Sequence, residues 1–317
     1  MQTRHLILRP LDKENSGTGH MRRLFRLAVE LHRHEDMTSI LAVDNPQYWK
    51  DIIPGFPGSV RIVSTQKLLA DTDSLISPCC IVLFDQKETA LKELQDFLRL
   101  GMPVLLDDDG PARAYAPFVI DSIPGPRRTK ANQNSGAFLE LPPRKREPEP
   151  GGGILLGFGS QDPGNLTVPA LDFLSKEPGI CSARITVTNP AAIKTRDHPN
   201  NSFQILNAAQ SLREHLHHYG LVICSYGLTA IEALAAGAAV ITIDPSPYHV
   251  RLSKRLGLQG IGHYDPARST FSRKQKQQLK RIMRNPAALI ESHRQALSKL
   301  DIKSEPRQES AHSRSAP

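Results

Sequence analysis

The sequence predicts an α/β protein made of two open domains, each with a buried, mostly parallel sheet. Three observations carry this. Short runs of β-branched and other apolar residues recur without polar alternation, as in strands covered on both faces. Segments with apolar residues at helical spacing separate those runs. The alternation breaks off once, over residues 124–153, and then resumes. A length of 317 residues fits two domains of about 100–200 residues each.

Residues 5–9 read as the first strand, and Met21, Leu24, Phe25, Ala28 and Leu31 place a helix after Gly19. Strands follow over 40–43, 60–63 and 81–84. Leu91, Leu94 and Leu98 mark a helix, with Gly101 as its stop, since glycine suits a helix C-terminus. Further strands are predicted over 104–106 and 118–120.

From 124 to 153 the chain is rich in Pro, Gly, Arg, Lys and Asn, with one apolar patch at 137–139. Such a composition cannot bury a core, so its end reads as a linker. Strands resume over 154–158, 185–187 and 203–206, followed by a helix carrying Ala209, Leu212 and Leu216. Next come a strand over 221–224, a helix over 229–236 and a strand over 240–243. A basic helix over 273–284 and a helix over 286–300 close the pattern, with Asn285 as cap and Pro286 at the first helical position. The expected division is an N-terminal domain over 1–140, a linker over 141–152, a C-terminal domain over 153–300 and a disordered tail over 301–317.

Composition narrows the function classes. Mean hydropathy is −0.34, and no apolar run approaches the roughly 18 residues of a membrane-spanning helix. Residues 1–11 lack a secretory h-region. The cysteines Cys79, Cys80, Cys181 and Cys224 have no CxxC spacing, which points to reduced thiols in a cytoplasmic protein. The net charge of +8 speaks to nucleic acid, anionic membrane or phosphorylated substrates. Aromatic residues make up only 5% and no basic-aromatic interleaving occurs, so nucleic acid is the poorest fit. Basic segments at 127–130, 144–146 and 273–284 could make weak peripheral contact with anionic lipid. Ordinary solvated faces explain them as well and are preferred. No obligate protein partner is evident.

Four motifs could carry chemistry. The first is Ser16-Gly17-Thr18-Gly19-His20, between a strand and a helix. Its glycines let a ligand approach the backbone, and His20 in the first helical turn is disfavoured as imidazolium, which suits a base. The plain alternative is a tight turn with a capping histidine. The second is Asp107-Asp108-Asp109, three carboxylates at a strand end. They could bind metal or sugar hydroxyls, but turns and caps also favour Asp, and a metal is not expected. The third runs from Gly157 through Gly159 and Ser160 to Asp162, a glycine turn that could wrap a phosphate or a sugar.

The fourth runs from Cys224 through Ser225, Tyr226, Gly227, Leu228, Thr229 and Glu232 to Gly237. The N–H groups of Gly227, Leu228 and Thr229 would open a helix and point at a diphosphate. Glu232 could accept hydrogen bonds from ribose hydroxyls, or could close a capping box with Thr229; both readings stay open. The histidines at 32, 34, 215, 217 and 218 read as solvated. Ser-His-Asp catalysis has no support, because GxSxG is absent.

The segments 17–23, 104–108, 155–163, 225–237 and 243–249 together resemble the UDP-sugar hydrolases of pseudaminic-acid biosynthesis and their spore-coat polysaccharide relatives. Those are similar in turn to the family-28 glycosyltransferases. The resemblance spans about residues 5–260, and 225–237 is its specific part. It implies a glycosyltransferase-B architecture of two Rossmann-like domains around an interdomain cleft. The N-terminal domain would hold the sugar or acceptor, and the C-terminal domain a nucleotide-sugar's diphosphate and nucleoside, with UDP the expected nucleotide.

By that resemblance His20 is the base that activates water, and Gly17 and Gly19 are expected to bind the substrate through their turn. Gly159, Ser160, Ser225, Gly227, Leu228, Thr229 and Glu232 bind the nucleotide, and Tyr248 and His249 stand by the sugar and phosphates. Neither metal nor cofactor is implied. The resemblance therefore implies hydrolysis of a nucleotide-sugar in surface-polysaccharide or nonulosonic-acid-type synthesis. The alternatives are a glycosyltransferase with a hydroxyl acceptor and a non-catalytic nucleotide-sugar binder. Two departures fall on the sugar side. Asp85-Gln86-Lys87 stands where the hydrolases carry Asp-x-Tyr, and Tyr248-His249 stands where they carry Asn-Gln.

Overall fold

The computed structural model describes residues 5–12, 19–35, 37–52, 60–71, 80–124, 129–139, 141–146, 152–159, 162, 164–177, 185–188, 203–206 and 212–300. Its first half comprises β1 (His5–Pro10), α1 (Gly19–Glu35), β2 (Thr38–Val43), α2 (Pro46–Ile52), β3 (Val60–Ser64), α3 (Thr65–Ala70) and β4 (Ile81–Asp85). It continues through α4 (Leu91–Leu98), β5 (Met102–Leu106), β6 (Phe118–Asp121) and β7 (Gln133–Asn134). The second half holds β8 (Gly153–Gly157), α5 (Thr167–Leu174), β9 (Ile185–Val187), β10 (Phe203–Ile205), α6 (Leu212–His215) and β11 (Tyr219–Cys224). It closes with α7 (Leu228–Ala235), β12 (Ala239–Asp244), α8 (Pro247–Leu256), β13 (Gln259–His263), α9 (Arg273–Met283) and α10 (Pro286–Lys299).

These strands form two sheets, ordered β3-β2-β1-β4-β5-β6-β7 and β10-β9-β8-β11-β12-β13. Every pairing is parallel. Each sheet begins at a central strand, runs outward one way, then returns to build the other side. The order reverses between β1 and β4 in the first sheet and between β8 and β11 in the second. At such a reversal the loops leaving the carboxyl ends part and open a crevice.

Apolar side chains cover both faces of both sheets, as continuous hydrophobic strands require. Leu6 and Leu8 meet Met21, Leu24 and Ala28 of α1 on one face, while Ile7 meets Leu94 and Phe97 of α4 on the other. In the second sheet Leu155 packs with α7 and α10, and Ile154 and Leu156 pack with α5 and α9. Cys80 and Cys224 are buried free thiols, and burial pushes the Cys80 thiol up to about 11. Cys79, Cys181 and the expected tail at 301–317 lie outside the described residues.

Gly101 has a different reason from the one expected. Arg99 ends α4 in an ordinary right-handed conformation. A Cβ on Gly101 would lie 2.3 Å from the Cys80 carbonyl oxygen, so glycine is required where the chain crosses β4 on its way into β5. The short α2 and α3, α8 and β13 escape a periodicity reading. β13 carries two glycines in five residues and so lacks an apolar run. Asn285 does cap α10, accepting a hydrogen bond from Ala288 N–H at 3.1 Å.

The two halves touch along a seam. The Tyr226 hydroxyl donates to the Pro124 carbonyl at 2.8 Å. Arg146 N–H donates to the Ala236 carbonyl at 2.8 Å. Leu139, with Ile123 and Leu141 against its margin, packs into the core of the second sheet. A Cβ on Gly19 would lie 3.8 Å from Leu228 Cδ1, so the start of α1 faces the start of α7.

Candidate active site

Five polypeptide ends converge beside that contact. The first half supplies the start of α1 after β1 and the loop after β4. The second half supplies the loop after β8, the start of α7 after β11 and the start of α8 after β12. All lie at carboxyl ends of parallel strands, and four flank the two points where strand order reverses.

His20 is the second residue of α1, and its Nδ1 is 2.6 Å from Asp85 Oδ1. Asp85 ends β4 with its side chain fully buried. Burial works against the Asp85 carboxylate, but the Arg23 charge and then His20 outweigh it and hold its pKa at about 2. An ionised carboxylate only accepts, so the ring must donate from Nδ1. In the neutral ring that leaves the lone pair on Nε2. The His20 side chain keeps 21% of its surface exposed, so the ring is both anchored and reachable.

Arg23, one turn further along α1, binds Asp85 through two nitrogens, Nε at 2.7 Å and Nη2 at 2.5 Å. Its Nη1 reaches Asp107 at 2.7 Å and Ser122 Oγ at 3.0 Å. Asp107 Oδ1 accepts from the N–H groups of Ser122 and Ile123, both at 2.8 Å, and Oδ2 accepts from the Ser122 hydroxyl. The triple-aspartate motif therefore divides. Asp107 joins the Arg23 network, and Asp108 accepts from Thr89 and Gly110 in a turn. No group of three His, Cys, Asp or Glu side chains able to hold a metal occurs among the described residues.

Across the seam, α7 starts at Leu228 with Gly227 as its N-cap, and no side chain caps it. Thr229 lies inside the helix, so the Thr229–Glu232 capping box does not form. The Thr229 methyl packs instead beside Gly157, whose added Cβ would meet it at 3.3 Å. A Cβ on Gly227 or on Gly159 would meet nothing within 4 Å. Open space thus lies before both glycines, beside the unpaired first N–H groups of α7.

The flanking polar groups are already committed. The Ser225 hydroxyl donates to the Ile243 carbonyl at 2.9 Å, and Tyr226 N–H donates to Asp244 at 3.0 Å. Gly17 and Ser160 lie outside the described residues.

Glu232 is half-buried one turn into α7. Burial pushes its carboxyl up to about 7, against the opposing pull of Arg26 on α1 and Arg213 on α6. Were Glu232 to hold a ribose, as the sequence resemblance implies, affinity would rise between about pH 6 and 8 as the carboxyl ionises. Calorimetric titration with UDP at several pH values checks this, and Glu232→Gln should flatten the profile.

Tyr248 and His249 open α8. His249 Nδ1 is 2.7 Å from Ser246 Oγ. Burial, and then the Lys87 charge, push His249 down to about 4, so its ring is neutral near pH 7. Lys87 lies in the loop after β4 and is exposed, yet the walls around its amine lower its pKa. Lys87 comes from the first half and His249 from the second, and the charge of one acts on the ring of the other.

The sequence marks Asp85 and Lys87 only as a sugar-side departure and Asp107 only within the triple aspartate; the contacts of all three, and Arg23 as the partner of Asp85 and Asp107, come from the structure. Arg23, three residues after His20 on an amphipathic helix, was the available signal.

No protein-family profile matches the sequence, and no curated protein does. Solved structures do match. The chain is similar to Acinetobacter baumannii MurG at 15% identity and a TM-score of 0.61, covering 94% of this chain and 95% of that one. It is similar to the spinosyn rhamnosyltransferase SpnG complexed with thymidine diphosphate at 14% identity and a TM-score of 0.58, covering 94% and 96%. It is also similar to Phytolacca americana UGT2 complexed with UDP-2-fluoroglucose and pterostilbene at 12% identity and a TM-score of 0.58, covering 95% and 94%.

The chain has the glycosyltransferase-B fold. The expected two-sheet architecture with its crevice between the halves is thereby established, over nearly the whole length of these structures. No helix among the described residues is long and apolar enough to cross a membrane.

Proposed function

We propose that the protein is a nucleotide-sugar glycosyltransferase that uses His20 as base. The observation that carries this is the His20–Asp85 pair facing the uncapped start of α7 across the seam. The solved structures of like fold support it, since two of them hold a nucleoside diphosphate or a nucleotide-sugar.

In this reading His20 Nε2 takes the proton of an acceptor hydroxyl as its oxygen bonds to the anomeric carbon. The bond from that carbon to the diphosphate breaks, and its electron pair leaves with the phosphate. Asp85 stabilises the imidazolium that forms. The N–H groups of Gly227, Leu228 and Thr229 receive the developing charge as preorganised dipoles. Gly159 leaves room for the phosphates, and Glu232 accepts from the ribose. Tyr248 and His249 stand at the sugar.

Lys87, whose charge acts on His249 beside the start of α8, would meet the leaving group in this arrangement. Lys87→Met is expected to weaken UDP binding about tenfold, in the range of a charge-assisted hydrogen bond, and to leave uridine binding unchanged. Isothermal titration with both ligands checks it.

The hydrolase implied by the sequence resemblance uses the same pair with water in place of the hydroxyl. The solved structures of like fold favour the transferase, and product analysis separates the two. A panel of UDP-sugars is incubated with and without hydroxyl acceptors, including lipid-linked ones. Acceptor-dependent UDP release supports the transferase. Stoichiometric free sugar without acceptor supports the hydrolase. Tight UDP-sugar binding without turnover across the panel would leave only a binding protein. Equal thermal shifts from UDP, ADP and phosphate would overturn the uridine site.

A further inference from the structure

The four side chains behind His20 form a chain of alternating charge: imidazole, Asp85, Arg23, Asp107. One guanidinium faces two carboxylates. The three buried groups thus sum to one negative charge, and the four side chains together sum to zero only once His20 carries a proton. Asp85 alone would neutralise Arg23 and leave nothing over for an imidazolium. The start of α1 opposes an imidazolium as well, because a helix N-terminus is the positive end of its dipole.

Asp107 supplies the missing charge. Two backbone N–H groups, one hydroxyl and one guanidinium nitrogen converge on its two oxygens, a set of donors that suits a carboxylate, which only accepts. Its backbone is also unusual. Asp107 has φ 54°, a left-handed conformation that a non-glycine residue adopts at a cost. That conformation, with Asp107 N–H bonded to the Ile120 carbonyl, lets the carboxylate turn back toward the start of α1.

We infer that Asp107, one guanidinium removed from the reacting atoms, is a positioning residue that holds Arg23 against Asp85 and supplies the negative charge that balances His20 as it takes up a proton. The inference deepens the proposed reading and rests on His20 being the base. Other ionisable groups on the surrounding elements are Arg22 and Arg26 on α1, Lys87 after β4, Asp109 after β5, Arg213 on α6, Glu232 on α7 and His249 on α8. All are unchanged by a substitution at 107, so they cancel in the comparison.

The test is the titration midpoint of His20, followed by imidazole NMR in the full-length protein and assigned by its loss in His20→Gln. Asp107→Asn keeps the shape and removes the charge. Its midpoint is expected to fall by up to about one pH unit, because the lost charge lies beyond Asp85 and one guanidinium and is partly screened. The acid limb of the pH profile of kcat/KM should move by the same amount with KM unchanged, and Asp107→Glu should restore both. If Asp107→Asn does not fold, Asp107→Ser removes the same charge with less bulk and carries the same expectation. An unmoved His20 midpoint in a folded, uncharged variant overturns the inference. A moved midpoint in a protein that turns over no nucleotide-sugar keeps the charge assignment and overturns the proposed activity instead.

Discussion

Replacing His20 by alanine is expected to lower kcat by roughly 10²–10⁴-fold, the range a positioned general base contributes, and to leave UDP affinity unchanged. The separation follows from the architecture. His20 belongs to the first half, whereas the diphosphate donors belong to α7 in the second. Asp85→Asn should lose nearly as much, for a different reason. An amide can donate to Nδ1, which would place the ring proton on Nε2 and remove the lone pair from the crevice. UDP release under saturating donor, with UDP binding measured separately, checks both variants. Wild-type turnover in His20→Ala would remove the base assignment.

The largest effect on stability is expected at Arg23. Arg23→Ala leaves the fully buried Asp85 and the nearly buried Asp107 facing each other without their shared cation. Removing one partner of a buried ion pair costs about 3–5 kcal/mol, on the order of 10 °C in melting temperature for a chain of this size.

The pH dependence has a definite sign. Asp85 has its folded pKa near 2, below the ordinary 3.8. Its stabilising contribution is therefore present above about pH 4 and lost as pH falls through 2. Without Arg23 that depression disappears and Asp85 can take up a proton at higher pH. The gap between variant and wild type should accordingly narrow on acidification from pH 7 toward 3. Scanning calorimetry across that range checks it, and equal melting temperatures at pH 7 would show that the network carries no net stability.

Much of the fold was legible in the residues. The uninterrupted apolar strands report burial on both faces, because a half-exposed strand would alternate. α1, α7, α9 and α10 appear close to where apolar spacing and caps place them. α2, α3 and β13 were not legible, because short helices and glycine-bearing edge strands lack a period long enough to read. Within the site, His20 and the turn at Gly227–Thr229 stood out through glycines next to helix starts. Asp85 did not. Its chemistry depends on a helix residue 65 positions away, and no local spacing encodes that distance.

By itself the sequence determined two buried parallel sheets, a histidine at one helix start and a glycine turn at another. Its periodicities and caps are local properties, and local sterics and hydrophobic burial suffice to set them. Only the tertiary structure decided the strand order, which places β4 beside β1 and β11 beside β8. That order brings Asp85 to His20, faces α1 toward α7, and turns Asp107 from a candidate metal ligand into the buried partner of Arg23. The physical reason is that charge pairing and close approach act through space. They are settled when side chains distant along the chain leave water together.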